Sequence, residues 1–322
     1  MLPNCIVIGA PRSATTSVYE HLNAHPEIFM SRIKEPDFFL RQSFESVTAL
    51  DSAGTAADEL ARLSPELKAE FDWYEGLFAE AAGARILGEA SAGYMESAMA
   101  MSCLRRFLPD VKMIVILRDP AERMHSHFVH ANRIRADFGG EAESEALTNS
   151  YKAIVEKARI EGFSGPATSE PEVWLNSGFY FRHLTRAMSL FPKDQLRIFL
   201  FEDLVADAQK VMTDVYGFLG VDNTFMLPTT AAFNAGTVPK NQAVFRMFTT
   251  RNPLLRMAKA MAPTWLRGAA TRTRNTMLGK GKPSLDAAMR STLIDIYRDD
   301  ITKLQGLLGR DLSAWINDTS PA

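Results

Sequence analysis

Apolar positions along this chain follow two spacings. Short apolar, mostly β-branched runs at residues 4–8, 85–89, 111–117 and 195–201 predict buried strands. Between them, apolar residues three and four apart predict helices. One surrounds Val18 and Leu22 and stops at His25-Pro26, two lie within 51–82 with Ser64-Pro65-Glu66 opening the second, and another covers 97–107. A further helix is predicted over 172–190, ending before Pro192, and one more runs from Glu202-Asp203 to Gly220. The acidic, glycine-containing stretch 137–145 reads as an exposed loop, and 27–39 as a connection holding the charged turn Lys34-Glu35-Pro36. Strands alternating with helices of this length predict an α/β fold: a P-loop-like, mainly parallel sheet with helices on both faces.

The composition, 322 residues with 46% hydrophobic and 23% charged, describes a soluble globular chain with a substantial core. No Pro/Gly/Ser-rich linker or internal repeat divides it, so one domain over 1–322 is expected. No apolar run approaches about eighteen residues, and the N-terminus enters a strand without a charged and then apolar leader, which favours the cytoplasm. Cys5 and Cys103 lack metal-type spacing and read as buried thiols. His125, His127 and His130 do not share one helical face, so a solvated or hydrogen-bonding role is expected and no metal.

Charge is unevenly distributed. Residues 223–285 contain no Asp or Glu but ten cations, including Lys240, Lys280 and Lys282, so the segment is +10 and, with the whole chain at −2, the remainder is −12. An anionic partner is expected there. Nucleic acid is excluded as that partner for want of a reading helix or stacking sheet. Residues 252–267 mix Leu254, Leu255, Met257, Trp265 and cations, as an interfacial helix against an anionic membrane would, or a core helix with a basic outer face.

Candidate chemistry begins where the first strand turns into the first helix, at Gly9-Ala10-Pro11-Arg12-Ser13-Ala14-Thr15-Thr16. Small residues open the backbone, the first helical N–H groups lack intrahelical partners, and Arg12 adds a planar cationic fork, so a phosphate or sulfate is expected. The nucleotide P-loop pattern is followed in spacing only, since Ala14 replaces its second glycine and Thr15 its lysine. A plain strand-to-helix connection remains the alternative for this turn alone. A second cation, Arg118, ends the strand at 111–117, where Asp119 is a good N-cap, Pro120 suits the first helical position and Glu122 can close a capping box. Ligands of open α/β sheets bind at that strand edge.

Together, Gly9 to Thr16 and Leu117 to Ser126 resemble the two signature segments of sulfotransferases that use 3′-phosphoadenosine-5′-phosphosulfate (PAPS), bacterial-type and nearest the heparan and other carbohydrate sulfotransferases. The likeness continues through Lys34 to Phe39, Phe71 to Tyr74, Gly88 to Ser91, 191–219 and, more weakly, 309–315. It implies transfer of a sulfuryl group from PAPS to a hydroxyl, less readily an amine, of a carbohydrate, lipid or small-molecule acceptor, leaving PAP and needing no metal. Pro11, Arg12, Ser13, Ala14, Thr15 and Thr16 then hold the 5′-phosphosulfate, and Arg118 and Ser126 the 3′-phosphate. Glu35 falls at the general base, which burial would tune, while Arg12 offsets charge on the bridging oxygen. Tyr180 matches a tyrosine of the carbohydrate branch, and Lys280 and Lys282 a basic glycine-containing loop over the nucleotide, so 240–282 is expected to close on it. Ala90 departs from the family, which has lysine there. A P-loop kinase or phosphotransferase is the runner-up, and a non-catalytic nucleotide-binding protein the third reading.

Overall fold

The computed structural model describes residues 1–45, 55–81, 83–138, 140–227 and 284–317. Five strands, β1 (Cys5–Gly9), β2 (Ile28–Met30), β3 (Ile86–Ala90), β4 (Lys112–Leu117) and β5 (Leu196–Leu200), form one sheet in the order β2-β3-β1-β4-β5. Every neighbouring pair is parallel.

Helices cover both faces. α1 (Thr15–Asn23) follows β1, while α2 (Ala56–Ala61), α3 (Pro65–Glu75) and α4 (Ala98–Phe107) flank β3. α5 (Pro120–Phe138), α6 (Glu141–Glu161), α7 (Glu170–Asn176) and α8 (Tyr180–Leu190) lead from β4 to β5. α9 (Phe201–Ala206), α10 (Ala208–Leu219), α11 (Ala287–Leu308) and α12 (Ser313–Ile316) complete the described chain. Because alternate strand residues point to opposite faces, Cys5 and Val7 of β1 pack with Val18 and Leu22 of α1 and with Met212 and Tyr216 of α10. Ile6 and Ile8 join the larger cluster with Leu104, Met124, Leu184 and Leu293.

The α/β expectation holds, with local corrections. The stretch 137–145 is not a loop: α5 continues to Phe138, and α6 starts at Glu141 after Gly140 at φ 85°. Its acidic residues Glu141 and Glu143 fill the first turn of α6, where the helix dipole favours negative charge. The helix expected over 172–190 is two, α7 and α8, broken where Gly178 passes so close to α11 that a Cβ would lie 2.6 Å from the Tyr297 ring. The helix expected from 202 to 220 also divides, at Asp207, whose carboxylate accepts the Lys210 N–H at 2.9 Å and so starts α10. β2 emerges inside the 27–39 connection, too short at three residues to announce itself.

The order of the strands fixes the ligand edge. From β1 the chain moves to β2 and β3 on one side, then crosses to β4 and β5 on the other. The carboxyl ends of β1 and β4 therefore flank the point where the winding reverses, and the Ala10 N–H reaches the Ile116 carbonyl there at 2.8 Å.

Candidate functional site: a cationic cradle beside a hung loop

The turn after β1 is held in a form that leaves donors uncommitted. Arg12 and Ala14 have φ 68° and 66°, left-handed conformations that non-glycine residues avoid. Ala14 caps α1 without a side-chain hydrogen bond, and the first backbone bond into the helix is Val18 N–H to Ala14 at 3.2 Å. The N–H groups of Thr15, Thr16 and Ser17 thus lie before the helix ladder begins. Ser13 is fully buried, and its Oγ and the Arg12 Nε are buried atoms without a partner. Buried polar atoms are nearly always bonded, so such orphans mark a place for a ligand. Burial, followed by the nearby Arg118, pushes the Arg12 pKa down.

Arg118 joins this turn from β4. Its Nη1 reaches the Arg12 carbonyl at 3.4 Å, its Nη2 the Glu122 carboxylate at 3.3 Å, and its guanidinium lies 4.7 Å from the Phe201 ring centre. The capping box expected from Glu122 does not form: the Asp119 N–H goes to the Glu202 carboxylate, and Glu122 pairs with Arg118. Asp119 caps α5 alone, accepting the Ala121 and Glu122 N–H groups at 2.9 and 3.2 Å, and its other oxygen pairs with Arg290 of α11 at 2.8 Å. Tyr180 is fully buried and donates to the Arg118 carbonyl at 2.9 Å, so it reaches the site through the backbone of Arg118. Ser126 is buried one and a half turns into α5. Lys280 and Lys282, and the segment 240–282 expected to close on the nucleotide, lie outside the described residues.

Glu35 comes near the same site from the chain after β2, its charge acting on both Arg12 and His130. It too is left-handed, at φ 56°, as is Asp37 at 48°. The carboxylate of Glu35 pairs with Lys34, and its side chain is 47% exposed. The deep burial expected of a tuned carboxylate falls instead on Glu89 of β3, which is fully buried. Glu89 accepts the hydroxyls of Tyr74 and Ser91 at 2.7 Å each and that of Tyr94. Burial pushes its pKa up to about 7 against those three hydrogen bonds.

Two further side chains reach this region from α5 without having been singled out as site residues. His130 feels the charges of Arg12 and Glu35, and burial above all pushes its pKa down to about 4. His127 stacks on Trp174, centroids 4.9 Å apart, and is likewise held neutral by burial and by Arg123 and Arg12. His127 and His130 are partly buried, and His125 is 8% exposed. Their chain spacing carried the signal: i and i+3 places His127 and His130 on one side of α5. Among the described residues no cluster of His, Cys, Asp and Glu converges as a metal site would, and no helix is long and apolar enough to cross a membrane.

Comparison with known proteins fits this geometry. Human carbohydrate sulfotransferase 15 is 28% identical over 247 residues, 68% of this chain and 44% of that protein. Human bifunctional heparan sulfate N-deacetylase/N-sulfotransferase 1 is 23% identical over 321 residues, 98% of this chain and 31% of the relative. The chain thus spans less than half the length of these curated relatives. A crystal structure of a sulfotransferase from Alicyclobacillus acidocaldarius superposes with a TM-score of 0.65 at 23% identity, covering 98% of this chain and all of that one, and so shares the fold. A profile described as "Sulfotransferase family" matches residues 3–224, more than half of the sequence, and the chain accordingly belongs to the sulfotransferase family.

Proposed function

We propose that this protein transfers a sulfuryl group from PAPS to an acceptor hydroxyl, in preference to an amine, with a carbohydrate as the foremost acceptor class and a lipid or small molecule behind it. One observation carries the reading: Arg12 and Arg118, from two strand ends, meet beside an uncapped helix start with Arg12 Nε and Ser13 Oγ buried and unpartnered. Such a pocket fits an anion with several oxygens, and the names of the relatives favour carbohydrate.

In this reading, Pro11 to Thr16 bind the 5′ end of the donor through the N–H groups of α1 and the Ser13, Thr15 and Thr16 hydroxyls, and Arg118 and Ser126 take the 3′-phosphate. PAPS supplies an activated sulfuryl group, whose sulfur–oxygen bond to phosphate breaks as the acceptor oxygen bonds to sulfur. Glu35 receives the acceptor's proton. Arg12 offsets the negative charge left on the phosphate side, where a preformed cation acts without reorganisation. Alignment and electrostatics carry most of the rate in such transfers.

A calorimetric titration with PAP, AMP and ATP tests this reading. PAP should bind more tightly than either. Preference for ATP would return the chain to the kinase reading.

A further inference from the structure

The loop that carries Glu35 hangs from the chain around β3 by its own backbone. The Glu35 N–H donates to the Ala90 carbonyl at 2.9 Å, the Asp37 N–H to Ser91 Oγ at 3.1 Å, and the Phe39 N–H to the Tyr94 hydroxyl at 3.2 Å. Ser91 and Tyr94 in turn donate their hydroxyl protons to the same carboxylate, Glu89. A hydroxyl that has given its proton away presents lone pairs, so Glu89 fixes both oxygens as acceptors for alternate N–H groups of the loop.

We propose that Glu89 is the positioning residue of the base loop: through Ser91 and Tyr94 it holds the backbone that follows Pro36, at Asp37 and Phe39, and so keeps the strained form that sets the Glu35 carboxylate near Arg12. The proposal rests on the reading of Glu35 as base. Its physical need is plain, since left-handed conformations at Glu35 and Asp37 persist only where surroundings over-determine them. A buried carboxylate in the middle of a sheet is also costly, and conformational specificity is a reason to keep one. Other groups facing Glu89 are Tyr74 of α3, Asp37 of the loop and Cys5 of β1. None is a cation, so ion pairing does not account for the carboxylate.

Glu89→Gln tests the idea, because an amide cannot accept all three hydroxyls and introduces donors of its own. Turnover should fall ~10–100-fold, the scale of a slight misplacement of a reacting group, while PAP affinity stays at the wild-type value. Ser91→Ala and Tyr94→Phe each remove one strut and guard against a Glu89 variant that fails to fold. Amide exchange should quicken ~10-fold, the loss of one hydrogen bond, at Asp37 in the first and at Phe39 in the second. Unchanged exchange at both amides would overturn the proposal, as would a Glu89→Gln variant that loses PAP affinity in step with turnover. In a Glu35→Gln background, adding Glu89→Gln should lower turnover no further. Normal turnover of Glu35→Gln by itself sinks the base assignment, yet the two amides still decide whether Glu89 holds the loop.

Discussion

Two turns, near enough for the Glu35 carboxylate to act on Arg12, resolve the same strain in opposite ways. The turn of Arg12 and Ala14 and the loop of Glu35 and Asp37 each contain two left-handed residues that are not glycine. In the first, the N–H groups after the turn are uncommitted and two side-chain atoms are buried without partners. In the second, the N–H groups of Glu35, Asp37 and Phe39 are all bonded to β3 or the turn beyond it. The difference separates receiving from aiming. A turn with open donors completes its hydrogen bonding when an anion arrives, whereas a loop with committed donors holds its side chain in place beforehand.

The largest effect should come from removing what the second loop aims. Glu35→Gln is expected to lower turnover ~10²–10⁴-fold, the usual contribution of a general base, with PAP affinity unchanged. Equal losses in turnover and PAP affinity would show that both turns receive the nucleotide and would erase the contrast.

Next in size is the pH dependence of the buried carboxylate. The folded state raises the Glu89 pKa from 4.5 to about 7, so between these values it holds a proton that the unfolded chain has released. Stability from this group is therefore fully present below about 4.5 and is lost as pH rises through about 7. Compared with Glu89→Gln, the wild type should gain stability on acidification across that window, by up to roughly 3 kcal/mol at 1.36 kcal/mol per pKa unit. Thermal melts of both proteins between these pH values measure it, and parallel curves would contradict the shift. The comparison of variants cancels the raised acids away from Glu89, namely Asp119, Glu96, Glu202 and Asp300, while Asp37, also raised, acts on Glu89 itself and belongs to the same effect.

Arg118→Ala sharpens the receiving side. It should weaken PAP by ~1.5–3 kcal/mol, the range for a hydrogen bond to a charged group, and leave AMP nearly untouched. Calorimetry with both nucleotides separates them, and an equal loss would remove Arg118 from the 3′-phosphate. The smallest effect belongs to Ala14→Gly. Relief of a left-handed alanine, ~1–2 kcal/mol, less glycine's extra freedom when unfolded, ~0.4–1 kcal/mol, predicts a slight rise in melting temperature. A fall would mean that the Ala14 methyl contributes packing that outweighs its strain.

What the sequence disclosed was whatever depends on neighbours along the chain. Four of the five strands, β1, β3, β4 and β5, the turn at Gly9 to Thr16 and the Arg118 segment are local patterns, and each stands where the residues implied, whereas β2 did not show. What stayed hidden depends on distant partners. α8 begins where it does because the Asp300 carboxylate accepts the Phe181 N–H at 2.9 Å across 119 residues, a cap that no local pattern contains. Glu89 stands beside Ala90, whose departure from the family's lysine is the conspicuous feature of that segment. A glutamate in an otherwise apolar interior strand was the available signal, and its three hydroxyl partners come from α3 and from the turn that follows β3.

The clasp between Arg290 and Asp119 bears on where this protein can be cut. The sequence profile ends at residue 224, which invites a short recombinant fragment carrying both signature segments. Such a fragment would lack α11, and with it the cation buried against the cap of α5, the Tyr297 hydroxyl on the Leu175 carbonyl at 2.8 Å and the Asp300 cap of α8. Losing one partner of a buried ion pair alone costs about 3–5 kcal/mol, a large part of an ordinary domain's stability. The minimal unit for expression, grafting or shuffling is thus a discontinuous one, in which a helix after residue 284 closes a fold that the recognisable sequence only begins.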